Sequence, residues 1–176
     1  MLGKAEIFFK NGDRSGHAFE EARAQTLAIA ERYEMEAALT TSLQPGAIET
    51  LKELKRMNMK LGLCTTSSEK AVKYILQRFR IEDFFEVVVS RDKVKYVKPH
   101  TEQFEMALKG LSIRAQATVI VGDSVVDMQS ARELKSIAVG LPTGMSTVEQ
   151  LKNNSANYII TSLTDLPVLV KEINKG

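Results

Sequence analysis

From Pro45 to the C-terminus, short apolar runs alternate with segments of helical period, and this alternation restricts the chain to one class of architecture. The runs are Leu61-Gly62-Leu63-Cys64, Phe85 to Val89, Thr118 to Val121, Ile137-Ala138-Val139-Gly140-Leu141 and Tyr158-Ile159-Ile160. They are apolar throughout rather than alternately apolar and polar, which predicts strands buried on both faces. Between them Ile48, Leu51, Leu54 and Met57 recur at helical spacing after Pro45-Gly46, and Pro favours a helix start. Ser67-Ser68-Glu69 opens a helix that carries Val72, Ile75, Leu76 and Phe79 on one face. Further helices are predicted over residues 101–111, 127–134, 147–153 and 163–173. Parallel strands joined by helices require right-handed crossovers, which cover the sheet on both sides. Residues 45–176 are therefore read as a three-layer α/β domain.

Residues 1–44 follow a different pattern. Residues 18–39 form a strong helical segment rich in Ala, Glu and Arg, with Leu27, Ile29, Ala30 and Tyr33 apolar. A turn cluster, Asn11-Gly12-Asp13-Arg14-Ser15-Gly16, precedes it. Residues 5–9, Ala5-Glu6-Ile7-Phe8-Phe9, are too few for periodicity to separate a strand from a helical turn.

Composition bounds the partners. At 176 residues and 44% hydrophobic content the chain can bury a sizeable core. A formal charge of +2 gives no reason to expect nucleic acid or an anionic membrane as partner. No stretch approaches the length of a membrane span, and Met1 to Glu6 lacks the apolar core of a signal peptide. The single cysteine, Cys64, has no partner for an internal disulfide, so a cytoplasmic location is expected. Its apolar surroundings read as those of a small buried hydrophobe rather than a reactive thiol.

Ligand chemistry in parallel α/β sheets gathers beyond the carboxyl ends of the strands. Three such ends carry polar groups. Leu61 to Cys64 delivers Thr65 and Thr66, Phe85 to Val89 leads into a loop with Lys98-Pro99, and Val119-Ile120-Val121-Gly122 delivers Asp123 and then Asp127. A hydroxyl beside helix-start N–H groups binds phosphate oxygens, a lysine adds a compact positive charge, and paired carboxylates suit Mg²⁺. The combination is a phosphoryl-transfer set. Each member has a plainer reading as well. Asp123 and Ser124 are good helix caps, Asp127 is an acidic first-turn residue, and Thr65 and Thr66 are common strand-to-helix connectors. Lys98 shares its loop with Arg91, Lys93 and Lys95, and a solvated basic segment is its alternative reading. Singly the plain readings suffice; for the ordered set they do not. His17 and His100 have no Cys or second His at metal spacing, so zinc is not expected.

In this order Thr65, Lys98 of Val97-Lys98-Pro99-His100, and Gly122-Asp123-Ser124-Val125-Val126-Asp127 resemble the motifs of the haloacid dehalogenase (HAD) superfamily. The likeness is to its phosphoglycolate phosphatase-like group with an inserted helical cap, and it runs from about Glu31 onward. It implies a Rossmann-like HAD core at residues 45–176 and a short or truncated helical cap segment at residues 1–44. It further implies that Thr65 and Thr66 bind phosphate with Lys98, that Thr65 and Lys98 serve catalysis, and that Asp123 and Asp127 hold Mg²⁺. The implied partner is a small phosphorylated metabolite. A response-regulator receiver uses similar residue types, but there the acidic pocket comes first in the chain, which argues against that reading.

One departure limits the resemblance. The family begins with a strand ending Asp-x-Asp-Gly-Thr, whose first Asp attacks phosphorus and whose second is the acid/base. Residues 1–176 contain no such sequence. One alignment lays Ile7-Phe8-Phe9-Lys10-Asn11-Gly12-Asp13 on that motif, with Phe9 at the nucleophile position and Asn11 at the acid/base position. The other places residues 1–44 within the cap, with the first strand not encoded in this chain. Phe cannot attack and Asn cannot carry the proton. The expectation is a Mg²⁺-dependent phosphatase scaffold with weak or no turnover. Its alternative is a non-catalytic phosphate- and Mg²⁺-binding module.

Overall fold

The computed structural model describes residues 16–144 and 146–175. The chain divides into two units, with the boundary between Thr41 and Ser42. The described part of the first unit is a single helix, α1 (Gly16–Thr40), in agreement with the helical pattern of residues 18–39. Ion pairs one turn apart, Arg23 with Glu20 at 3.7 Å and Arg32 with Glu36 at 3.9 Å, run along it. The segment Ala5 to Phe9 and the turn cluster before the helix lie outside the described residues.

In the second unit the order is α2 (Ala47–Arg56), β1 (Gly62–Cys64), α3 (Glu69–Phe79), β2 (Val87–Val89), α4 (Glu102–Leu111), β3 (Val119–Gly122), α5 (Val125–Glu133), β4 (Ile137–Gly140), α6 (Val148–Asn153), β5 (Tyr158–Ile159) and α7 (Leu166–Ile173). Each expected run forms a strand, shorter by one or two residues in most cases. Pro45-Gly46 forms the turn before α2 rather than its first residues; Gly46 has φ 78°, a left-handed conformation that glycine adopts without strain. α5 starts at Val125, two residues before the expected start, so Asp127 lies within its first turn.

All strand pairs are parallel, but they form two sheets rather than one. β1 pairs with β2, with Gly62 opposite Val87 and Cys64 opposite Val89. β3 pairs with β4, and β4 with β5, with Gly122 opposite Gly140. Among the described residues nothing pairs β1 to β3. The HAD resemblance puts its first strand at the centre of the sheet, and residues 5–9, the candidate for that strand, fall outside what is described.

The layers follow from the two-residue period of the strands. In β4, Ile137 and Val139 face a core built with Leu54 of α2 and Leu166 and Val170 of α7. Ala138 faces the opposite core, with Met128 and Ala131 of α5 and Leu151 of α6. A third cluster joins Val72 and Leu76 of α3 to Leu63 of β1 and Val88 of β2. Helices α2, α3 and α7 thus cover one face and α4, α5 and α6 the other, the expected three layers. Met128 and Leu151 are fully buried, and truncating either to Ala costs about 2–5 kcal/mol. Among the described residues no helix is long and apolar enough to cross a membrane.

Candidate active site

The three strand ends named from sequence lie on one edge of this unit. Beyond β1, the Thr65 N–H donates to the Val89 carbonyl at 3.0 Å, which extends the β1–β2 ladder by one residue. The Thr65 Oγ1 accepts the Ser67 N–H at 3.2 Å. With its oxygen used as acceptor, the hydroxyl keeps its proton for another partner; no acceptor for it is found among the described residues. Thr66 is exposed. Its carbonyl accepts from Arg91 Nη1 at 3.4 Å, and its side chain is not joined to the other candidate residues. Ser68 caps α3 by accepting the Ala71 N–H.

Lys98 reaches across both sheets. Its ammonium donates to Asp127 Oδ1 at 2.7 Å and to the Cys64 carbonyl, at the end of β1, at 3.4 Å. The side chain is only 13% exposed and that of Asp127 only 6%. Lys98 is therefore not part of a solvated basic loop, the plainer reading open to it from sequence. Lys93 of the same loop does have that character, pairing at the surface with Glu69 at 3.4 Å. The Lys98–Pro99 peptide is cis. The Glu102 carboxylate accepts the N–H groups of Lys95 at 3.0 Å and Tyr96 at 2.9 Å, which fixes the loop leading to Lys98. Those two bonds hold Glu102 below the ordinary carboxylate range.

Beyond β3 the two carboxylates differ. Both oxygens of Asp127 are engaged, one by Lys98 and the other by the Ser124 hydroxyl. Ser124 occupies the N-cap position of α5 but makes no side-chain cap bond; its hydroxyl is committed to Asp127. The Val125 N–H at that helix start donates instead to Ser146 Oγ at 3.2 Å. Asp123 is half-buried, and no hydrogen bond to its carboxylate is found among the described residues. Two glycines make room for the pair. A Cβ at Gly122 would overlap the Asp127 side chain, and a Cβ at Gly144 would overlap the Asp123 carboxylate.

This donor set suits a small hard cation. Mg²⁺ is held by one or two carboxylates together with water and substrate phosphate oxygens. Asp123 has a carboxylate with no hydrogen-bond partner among the described residues, and Asp127, four residues on, is a second anion oriented by Lys98 and Ser124. No cluster of three or more His, Cys, Asp or Glu side chains occurs among the described residues, so an all-protein cage of the zinc or calcium kind is not formed there.

Two features of this edge were not legible as site features in the sequence. Gln103 of α4 is 0% exposed, and its amide bonds only to backbone groups of the surrounding loops. A lone Gln on a helix carries no sequence signal for such a role. Gly144 lies in the turn after Pro142, where glycine is ordinary, and only the packing shows what it faces.

The sequence profile of the haloacid dehalogenase-like hydrolases matches residues 6–140. The chain belongs to this family. Pyrophosphatase PpaX of Bacillus mycoides (strain KBAB4) is 30% identical over 126 residues, covering 72% of this chain and 59% of that protein. The chain thus spans about three-fifths of the length of that relative. Among solved structures, a hydrolase from Pseudomonas syringae superposes with a TM-score of 0.76 at 24% identity, covering 97% of this chain and 76% of that one. A predicted phosphoglycolate phosphatase from Haemophilus somnus superposes with a TM-score of 0.74 at 22% identity, covering 92% and 70%. At these identities the structural likeness speaks to the HAD fold.

Proposed function

We propose that this chain presents the phosphate- and Mg²⁺-binding pocket of a HAD phosphatase, with weak or no turnover. The observation that carries the reading is the Lys98 ammonium, which spans the end of β1 and Asp127 and so joins the hydroxyl loop to the acidic loop. In this reading the Thr65 O–H donates to a phosphoryl oxygen. Lys98 has three N–H donors, two of them used by protein, and offers the third to the same anion. Asp123 is the direct Mg²⁺ ligand and Asp127 orients Lys98 and supports the metal. Mg²⁺, when bound, neutralises charge on the phosphoryl oxygens. The partner class is a small phosphorylated metabolite; the names of the pyrophosphatase and phosphoglycolate phosphatase relatives support a phosphate ester or anhydride.

Turnover by the family route needs a carboxylate nucleophile, and residues 1–176 contain no Asp-x-Asp. The family profile matches from residue 6, just before Ile7-Phe8-Phe9-Lys10-Asn11-Gly12-Asp13. That start supports the alignment with Phe9 and Asn11 in the positions of the two catalytic carboxylates. Neither side chain attacks phosphorus or relays a proton. An aryl-phosphate assay with Mg²⁺ tests this: the expected rate is at or near background. Robust hydrolysis abolished by Asp123→Ala contradicts it. The double change Phe9→Asp, Asn11→Asp is expected to raise the rate.

A further inference from the structure

Gln103 is the third largest side chain among the fully buried ones, and its primary amide has two donors and an acceptor to satisfy. Burying an amide without partners is costly, so where its bonds go is informative. Its Nε2 donates to the Thr65 carbonyl at 2.7 Å and to the Val89 carbonyl, at the end of β2, at 3.4 Å. Its Oε1 accepts the Lys98 N–H at 3.3 Å. Gln103 therefore ties the backbone of the residue that bears the hydroxyl to the backbone of the residue that bears the cation. A second buried side chain, Ser130 of α5, donates to the Pro99 carbonyl at 3.0 Å and holds the next residue of the same loop.

We propose that Gln103 is a positioning residue that sets the separation of Thr65 and Lys98, so that both reach one tetrahedral phosphate. It does not touch the anion; it acts through two main-chain segments, which the Lys98 ammonium also links through the Cys64 carbonyl. The inference rests on the phosphate-pocket reading above. It distinguishes Gln103 from a merely structural core residue, because the amide is bonded to no part of the acidic loop. Losing it should loosen the phosphate end of the pocket while leaving Asp123 and Asp127 in place.

The test is calorimetric titration of the full chain and of Gln103→Met with inorganic phosphate in the presence of Mg²⁺, and separately with Mg²⁺ alone. Met keeps the length and removes every hydrogen bond. Phosphate affinity is expected to fall by about tenfold or more, the scale seen when a partner orienting a ligand-holding group is removed, with Mg²⁺ affinity unchanged. Equal phosphate affinity in the variant, or parallel losses of phosphate and Mg²⁺, overturns the positioning role alone. No phosphate binding by the unaltered chain overturns the pocket reading and this inference with it. A measurement independent of any variant is hydrogen exchange at the Lys98 amide. Its bond to Gln103 predicts slow exchange, and exchange at the rate of an open loop contradicts the inference.

Discussion

Lys98 and Asp127 form an ion pair at 2.7 Å in which both side chains are nearly removed from solvent. The pair joins a loop that follows β2 to the first turn of α5, which follows β3, and so bridges strands that are not paired to one another among the described residues. Breaking one side of a buried pair leaves the other charge uncompensated, at a cost of about 3–5 kcal/mol. Lys98→Met is expected to destabilise the unit by that amount in urea unfolding. Adding Asp127→Leu removes the stranded carboxylate, so the double variant should lose less than the sum of the single losses. Simple additivity contradicts the coupling.

The glycines behind the carboxylates predict two different outcomes. At Gly144 an added Cβ meets the free end of Asp123. That carboxylate can swing away, so Gly144→Ala should alter stability by less than about 1 kcal/mol while weakening Mg²⁺ binding several-fold in calorimetry. At Gly122 the added Cβ meets the Cβ of Asp127, whose carboxylate is tied to Lys98 and Ser124. Relief there requires movement of backbone, and Gly122→Ala should cost about 1–3 kcal/mol. Equal destabilisation by the two substitutions contradicts this assignment.

Cys64 predicts a pH dependence. Burial pushes its thiol from an ordinary 9.0 up to about 11; the nearby Lys98 opposes that shift and Asp127 adds to it. The folded state therefore holds the proton more tightly than the unfolded chain. Its contribution to stability is complete below pH 9 and is lost as pH rises towards 11, on the order of 3 kcal/mol in all. Cys64→Ala should flatten the stability profile across that interval. The native thiol should also react slowly with alkylating agents at pH 8, because little of it is thiolate there, and rapid modification without unfolding contradicts the raised titration.

Much of the fold is legible because the apolar runs and helical periods are unbroken after Pro45. The strand at Ile137 to Gly140 is one case: its residues are apolar throughout because each face packs on a different core. Helix ends are less legible. α3 and α4 close on Arg80 and Ser112 in the left-handed conformation, φ 54° and 55°, where glycine is the usual signal. α5 starts two residues before its expected start, at Val125, with Ser124 in the N-cap position; the Ser124 hydroxyl serves Asp127 and the N–H of Val125 is met by Ser146, 21 residues away. At the candidate site, Thr65, Lys98, Asp123 and Asp127 are residue types with strong chemistry at strand ends, which brings them forward in a sequence. Gln103 was invisible for the opposite reason: a polar residue on an otherwise amphipathic helix reads as solvent-facing, and only tertiary packing buries it.

The central claim is that this chain binds phosphate and Mg²⁺ together at the edge formed by Thr65, Lys98, Asp123 and Asp127, and the direct measurement is its thermal unfolding midpoint with both ligands present. A ligand at ten times its dissociation constant adds about 1.4 kcal/mol to the folded state, which raises the midpoint by ~3–5 °C for a chain of this size. The account predicts such a rise with millimolar inorganic phosphate and Mg²⁺ together, absent in Asp123→Ala. An unchanged midpoint in the unaltered chain, or an equal rise in Asp123→Ala, contradicts it.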